Sequence, residues 1–221
     1  MIIRDIENSM IARLKKGMGR MAANVCSYGG ELDGEPGDVA RALPAVWVTF
    51  GGIQNTKNAN IGKRKYEVVG RFVVIVGEYS VRSEEASRHG GANLNEVGTY
   101  RLVSAVRRLL SGQDLAEFGL KVDFLMPGRV RSLFNTSLEH QALSVFACEF
   151  DTKWFETALE NGKYPLDGPS AFHPDSIFNG YHGETSPDDP AWLRTRLSYD
   201  IPQTPASPDA EDMINHEQNQ G

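Results

Sequence analysis

The stretch from Lys65 to Ser80 constrains the fold more than any other part of this chain. It reads K-Y-E-V-V-G-R-F-V-V-I-V-G-E-Y-S, and its β-branched and aromatic side chains follow no helical period. We predict a strand here, covered on both faces between Phe72 and Val76, where apolar residues occupy both phases. Burying its seven apolar side chains contributes roughly 10–20 kcal/mol before the entropy cost. Other elements should pack on this strand, and its length predicts that part of it projects beyond the core.

Two amphipathic helices are predicted to pack on the sheet. Residues 2–18 place apolar side chains three and four positions apart, with Asp5 near the start and two lysines near the end, which suits the helix dipole. The second helix is predicted at about 95–111, with Asn95 as its N-cap and an apolar stripe that includes Val106. Its polar side carries Arg101, Arg107 and Arg108. These arginines indicate either the ordinary solvent-exposed face of an amphipathic helix or a phosphate-binding surface.

Further strands surround the central one. The strand P-A-V-W-V-T-F ends at a glycine pair, and a long polar loop should follow it as the tip of a hairpin. The last strand alternates strictly from Phe146, which predicts that Cys148 points inward as inert core. The predicted ranges are 44–50 for the first of these strands, 51–65 for the loop, 120–126 for a strand stopped by Pro127, 129–134 for a short strand or turn, and 138–155 for the last strand.

These elements predict an α+β fold. We expect a two-layer α/β arrangement: a mixed, mainly antiparallel sheet with two helices packed on it, a long projecting β-hairpin and an extended C-terminal arm. Residues 1–159 form the predicted domain and carry 20 Lys and Arg against 18 Asp and Glu. Residues 160–221 form the Pro- and Asp-rich arm and carry 3 against 11. The near-neutral domain argues against a dedicated DNA-binding surface, although the helix arginines leave a nucleic-acid-binding module as an alternative.

No motif for catalysis is found in the sequence. A nucleophile elbow, a dinucleotide-binding glycine pattern, H-E-x-x-H and C-x-x-C are all absent. Metal-ligand residue types cluster only in the arm, without the spacing of a defined site, so a metal-dependent hydrolase is a remote alternative. This set is His173, Asp175, His182, Glu184, Asp188 and Asp189. We predict no enzymatic activity, no cofactor and no metal.

The order of elements resembles a known phage family. An N-terminal helix precedes L-P-A-V-W-V-T-F-G-G and K-Y-E-V-V-G-R-F-V-V-I-V-G-E-Y, followed by T-Y-R-L-V-S-A-V-R-R-L-L-S-G and S-V-F-A-C-E-F-D-T-K-W-F. Over about residues 1–165 these phrases resemble the tail terminator (tail completion) proteins of Mu-like phages and prophages. The resemblance implies an α/β subunit of a homohexameric ring that caps the tail tube and provides the interface for head joining. It supplies no catalytic residues, and a head-closure or connector protein of the neck is the alternative.

The resemblance also implies partners and a location. The partners are further copies of the chain, the tail tube protein and a head-completion or connector protein, while DNA passes through the ring lumen without sequence-specific binding. The expected location is the tail or neck of the virion after assembly in the host bacterial cytoplasm, and the lack of any run of eighteen apolar residues predicts no membrane span. The predicted interface residues are basic at the loop tip and aromatic in the arm. They are Lys57, Lys63, Arg64, Lys65, Phe172, Phe178, Tyr181 and Trp192.

Overall fold

The central strand of the sheet is the stretch predicted from the sequence. In the computed structural model, β3 spans Lys65–Ser80 and lies in the middle of a five-stranded sheet ordered β1-β2-β3-β5-β4. The other strands are β1 Asn24–Ser27, β2 Ala45–Asn58, β4 Met126–Leu138 and β5 Gln141–Thr157. β1 runs parallel to β2, and every other neighbouring pair in this sheet is antiparallel. The predicted α+β class, with a mixed and mainly antiparallel sheet, is confirmed.

The structure describes most of the chain. Its residues are 1–33, 43–62, 64–80, 88–90, 97–138, 141–165, 169–171, 173–181, 194–199 and 210–215. By their internal contacts the residues fall into two compact units, Met1–Asn161 and Gly162–Gly221, which are described separately.

Helix α1 spans Ile2–Met18, as predicted. Its apolar stripe, which includes Ile6, Met10 and Leu14, is buried. The helix ends at Gly19, which adopts a positive φ of 54° and donates its backbone N–H to the carbonyl of Lys15. The start and the end of this helix were therefore both encoded locally.

Helix α2 spans Thr99–Leu110 and begins later than predicted. Gly98 is the N-cap and has a φ of 80°, which a residue with a side chain rarely adopts, so the helix starts only after it. The predicted N-cap, Asn95, lies outside the described residues. The two helices meet closely at Gly17, where an added Cβ would lie 2.4 Å from Cδ2 of Leu109.

Two strands differ from their predictions. β2 continues to Asn58, so most of the predicted 51–65 loop is strand. The sequence shows no alternation of apolar and polar residues there, because both faces of this part of the strand are polar. The predicted strand at residues 120–126 is wrong up to Leu125, which instead exchanges backbone hydrogen bonds with Gly112 and Gln113. Pro127, predicted to stop a strand, lies within β4 because an edge strand at a bulge tolerates a missing N–H.

Both faces of the sheet carry buried apolar side chains, as the pattern around Phe72 predicted. The larger cluster lies under α1 and α2 and includes Phe72, Phe150 and Cys148. Burial raises the pKa of the Cys148 thiol to about 11, so this inward-facing cysteine stays protonated. The opposite face, here called the outer face, holds a smaller cluster centred on Trp47 and Ile75.

The C-terminal unit contains a short 3₁₀ turn and a pair of strands. The turn spans Pro174–Phe178. Strands β6 Arg194–Tyr199 and β7 Ala210–Asn215 form an antiparallel two-stranded sheet of their own. The Pro- and Asp-rich sequence of residues 202–212 predicts that this stretch is disordered on its own; its last residues, Ala210–Asp212, pair with Leu197–Tyr199.

Candidate protein-binding surface

Three strands extend together to one end of the sheet, where β2 continues past the end of β1 and becomes exposed. In β2 the first four residues are buried, whereas Ile53–Asn58 are all exposed. The facing parts of β3 and β5 run alongside it, since Asn58 pairs with Tyr66, and Tyr66 pairs with Glu156. One face of these two strands stays buried, at Val68 and Trp154. We call this three-stranded extension, residues 53–58, 65–70 and 152–157, the ribbon. Six residues at about 3.3 Å each give it a reach of roughly 20 Å.

The ribbon is joined to the core by a tight contact between Gly70 and Trp154. A Cβ at position 70 would lie 2.2 Å from Cη2 of Trp154, so the indole can cover the strand only because residue 70 has no side chain. The indole is buried, and its Nε1–H donates to a carboxylate oxygen of Glu156 at 2.7 Å. The inner end of the ribbon is thereby fixed.

β2 bends as it leaves the core. Its register with β3 shifts between Phe50 and Gly52 and again between Ile53 and Asn55. Gly52 has a φ of 98° at this point. Bulges bend a strand and increase its twist, so these two irregularities set the direction in which the ribbon leaves the sheet.

Two of the basic residues predicted at the tip interact with an acidic or an aromatic side chain. Arg64 forms an ion pair with Glu160, and the ammonium of Lys65 lies 4.5 Å from the ring centroid of Phe155. Lys57 stands directly opposite Glu67 in the β2–β3 register. Lys63 lies outside the described residues. The structure thus brings Lys57, Arg64 and Lys65 to one end of the ribbon, where their charges are interleaved with acidic and aromatic groups.

Exposed apolar side chains are the feature of the ribbon that sequence reasoning missed. Ile53 is 51% exposed and Phe155 is 58% exposed, and Ile61 in the connecting turn is entirely exposed. The sequence contained the signal, because Ile61 stands alone in a polar loop and Phe155 falls in the polar phase of β5. Three exposed apolar groups on one element make the ribbon a candidate protein-binding surface.

An ionic network crosses the outer face where the apolar cluster ends. Arg71 donates to both carboxylate oxygens of Asp151, at 2.7 and 2.9 Å, and its guanidinium lies 2.8 Å from the carboxylate of Glu149. The hydrogen bonds to Asp151, followed by the charges of both carboxylates, raise the pKa of Arg71 against the opposing effect of burial. Arg131 on β4 lies 3.5 Å from Glu149. The network links β3, β5 and β4 and explains how a carboxylate is accommodated in the sheet.

The arginines of α2 are not assembled into one phosphate site. Arg107 donates to the carbonyl of Gly128 at 3.2 Å. Arg101 and Arg108 line a shallow open groove beside Met21 and Tyr100. The three side chains therefore have different neighbours. They form no defined site that would support the nucleic-acid-binding alternative.

In the C-terminal unit, the predicted aromatic residues that are described lie at the surface. Phe178 ends the 3₁₀ turn, and Tyr181 follows it; both are exposed, as is Ile177. The turn begins at His173, whose Nδ1 accepts the backbone N–H of Asp175. Phe172 and Trp192 lie outside the described residues.

No metal centre is formed by the residues that the structure describes. Among them, no three His, Cys, Asp or Glu side chains converge on a common point. His173 and Asp175 form a pair 3.6 Å apart, while His182, Glu184, Asp188 and Asp189 lie outside the described residues. Among the described helices, none is both long enough and apolar enough to cross a bilayer.

The fold is of the α+β class, with two helices on a mixed five-stranded sheet, and the ribbon is its candidate protein-binding surface. The comparison with protein families agrees: residues 1–155 match the family described as Bacteriophage Mu, Gp37. The chain therefore belongs to this family, which confirms the predicted resemblance to a Mu-like phage family and indicates a phage structural protein. None of the curated proteins compared with the chain is significantly similar to it.

Proposed function

We propose that this protein is the tail terminator of a Mu-like phage: a subunit of a ring that caps the tail tube and provides the surface for head joining. The observation that carries this proposal is the family match over residues 1–155. The ribbon supports it, because a subunit that acts by binding needs solvent-exposed apolar surface, which Ile53, Ile61 and Phe155 supply. The protein acts by association and catalyses no reaction.

Its proposed partners are further copies of itself in a homohexamer, the tail tube protein and a head-completion or connector protein. DNA passes through the lumen of the ring without sequence-specific contacts. A ring closes through heterologous contacts, so each subunit presents two different surfaces to its neighbours. The ribbon is one such surface, and its exposed isoleucines and Phe155 are the groups we expect a partner to cover.

Imaging of the purified full-length protein by negative stain, together with its mass by light scattering, tests the ring. We expect six-membered rings with a central opening wide enough for duplex DNA. A protein that remains monomeric both alone and in the presence of purified tail tubes would contradict the proposal.

A phage in which this gene is inactivated distinguishes the terminator from a neck protein. Because a terminator stops tube growth, its loss should give tails of uncontrolled length, and supplying the protein in trans should restore the normal length. Tails of normal length that fail to join heads would instead identify a head-closure or connector protein.

The ribbon's role is tested by Phe155→Ser, which removes an exposed apolar group without disturbing the core. We expect normal folding by circular dichroism but loss of tube capping. Tyr100→Ser is a matched control, since Tyr100 is a partly exposed aromatic residue on helix α2. If both variants cap tubes equally well, the ribbon is not the contact surface.

The loop lysines and arginine give a separate test. Lys57 lies near the outer end of the ribbon, whereas Arg64 and Lys65 are already engaged by Glu160 and Phe155. If the tip meets an acidic surface of the tube, Lys57→Glu should weaken capping more at low than at high salt, because screening reduces the repulsion. An effect that is independent of salt would argue against an electrostatic contact.

A further inference from the structure

Four outer strands, β1, β4, β6 and β7, each have one edge without a strand partner among the described residues. β4 is the last strand of the five-stranded sheet, and it pairs only with β5. β7 pairs only with β6 in the small C-terminal sheet. A strand edge presents a row of backbone N–H and C=O groups that readily pair with another chain.

The edges of β4 and β7 also expose apolar side chains. On β4, Met126 and Val130 are exposed, and Phe124 just before the strand is 53% exposed. On β7, Met213 and Ile214 are both nearly half exposed. An isolated two-stranded sheet is at best marginally stable in water, so β6 and β7 need further support to persist.

The charges on the two edges are complementary. β4 carries Arg129 and Arg131 and no acidic residue, whereas β7 carries Glu211 and Asp212 and no basic residue. Two β4 strands placed side by side would bring like charges together, and the same holds for β4 beside β6, which contains Arg194 and Arg196. Like charges directly opposite each other destabilise a strand pair. Among β4, β6 and β7, β7 is therefore the strand whose charges complement those of β4.

We propose that β7 of a second copy of this chain adds to the free edge of β4 and extends the five-stranded sheet. The added strand is assigned to another molecule because the self-association in the proposed function requires a contact between copies. The contact is heterologous, because the donating and accepting strands differ, and contacts of this kind close rings. Backbone hydrogen bonds supply affinity, and the opposite charges select the partner strand.

The position of the contact on β4 follows from two local features. Pro127 has no backbone N–H, and the register with β5 shifts between Pro127 and Val130. Both features discourage pairing at the beginning of the strand. The six residues of β7 are therefore placed beyond Pro127, from Val130 towards the end of β4.

Disulfide trapping between two full-length chains tests the proposal. One chain carries Val130→Cys or Ser132→Cys and one affinity tag; the other carries Met213→Cys or Ile214→Cys and a second tag. Cys26→Ser in both backgrounds removes the half-buried native thiol, while Cys148 is buried. Ser104→Cys, at an exposed position on helix α2, replaces the β4 cysteine in the control.

We expect a disulfide-linked species that contains both tags for at least one β4–β7 combination and none for the Ser104 control. A cross-link that forms only when both cysteines are in the same chain would overturn the proposal, and so would its absence from every combination. Charge exchange supplies a second measurement. Arg131→Glu, within the proposed contact, should weaken the cross-link, and adding Glu211→Arg and Asp212→Arg to the other chain should restore it.

This inference rests on the self-association in the proposed function, but the two can fail separately. Rings seen by imaging without a β4–β7 cross-link would reject this contact and leave the terminator function standing. A cross-link between chains that cap no tubes would support the contact and reject the function.

Discussion

The inner and outer halves of β2, β3 and β5 differ in the interactions that stabilise the strand conformation. In the inner half, residues such as Val46, Val74 and Phe150 are buried beneath two helices. In the ribbon, β2 is exposed from Ile53 onward, and its course follows from pairing with β3 rather than from burial. The comparison teaches that burial specifies the core and one face of the ribbon, where Val68 and Trp154 are buried, whereas the outer part of β2 keeps its course through backbone pairing and leaves its side chains exposed.

The largest expected difference between the two halves is between two phenylalanines of β5. Phe150→Ala should lower the free energy of unfolding by about 3–5 kcal/mol, because a fully buried ring leaves a cavity. Phe155→Ala removes a ring that is already mostly in solvent and should change the stability by less than about 0.5 kcal/mol. Urea unfolding followed by circular dichroism measures both. Equal losses would mean that the ribbon is part of the cooperative core.

The next largest effect is expected at the joint between the two halves. Gly70→Ala places a methyl group 2.2 Å from the Trp154 ring and should cost about 1–3 kcal/mol through displacement of the indole. Gly62→Ala in the turn is the matched control, because the nearest atom to its Cβ is 3.7 Å away. Thermal unfolding of both variants measures the difference. A harmless Gly70→Ala would show that Trp154 is not fixed against β3.

These two halves also explain how much of the fold the sequence could predict. The bounds of β3 and α1 were predictable because burial on one or both sides imposes a periodic apolar pattern. The outer part of β2 was predicted as a loop. Both faces of Gln54–Asn58 are exposed to solvent, so its sequence shows no periodic apolar pattern even though it is a paired strand. Backbone pairing with β3 is a non-local interaction that local composition does not reveal.

The opposite error occurred before β4. Residues 120–126 alternate as a strand does, and Leu125 is buried, with Leu120 and Val122 packed against the core. Their backbone, however, bonds to Gln113 and Lys153 outside any strand pairing. Alternation correctly placed Leu120 and Val122 towards the core. It failed from Phe124 on, because Phe124 is exposed and Leu125 is buried, and it could not show where the backbone hydrogen bonds go.

The candidate surface was predicted only in part, for a related reason. Sequence reasoning selected the charges of the tip, because a basic cluster is easy to see in a linear sequence. It could not see that Glu160, about a hundred positions later, pairs with Arg64, or that Phe155 lies beneath Lys65. The exposure of Ile61 and Phe155 depends on which strands lie beside them, which is a property of the folded chain.

An intermediate effect is expected for the ionic network on the outer face. Arg71→Leu removes the partner of two carboxylates, one of which, Glu149, is almost fully buried, and should cost about 1–3 kcal/mol. Lys153→Leu breaks an exposed ion pair with Asp123 on the same face and should cost less than about 1 kcal/mol. Chemical unfolding at neutral pH compares the two. A larger loss for Lys153→Leu would reverse the expected dependence on burial.

The smallest effect should be found at the outer end of the ribbon. Arg64→Ala removes an ion pair with Glu160 in which both side chains are more than half exposed, so water and salt screen the attraction. We expect the free energy of unfolding to change by about 0–1 kcal/mol, and any loss to shrink as salt is added. Glu160→Ala should behave in the same way, which makes the two variants controls for each other. If only Arg64→Ala impairs capping of tail tubes while both variants keep wild-type stability, then Arg64 contributes to binding rather than folding. If either variant unfolds as readily as Gly70→Ala, the outer end of the ribbon depends on side-chain contacts after all, and the distinction between a buried half and a paired half fails.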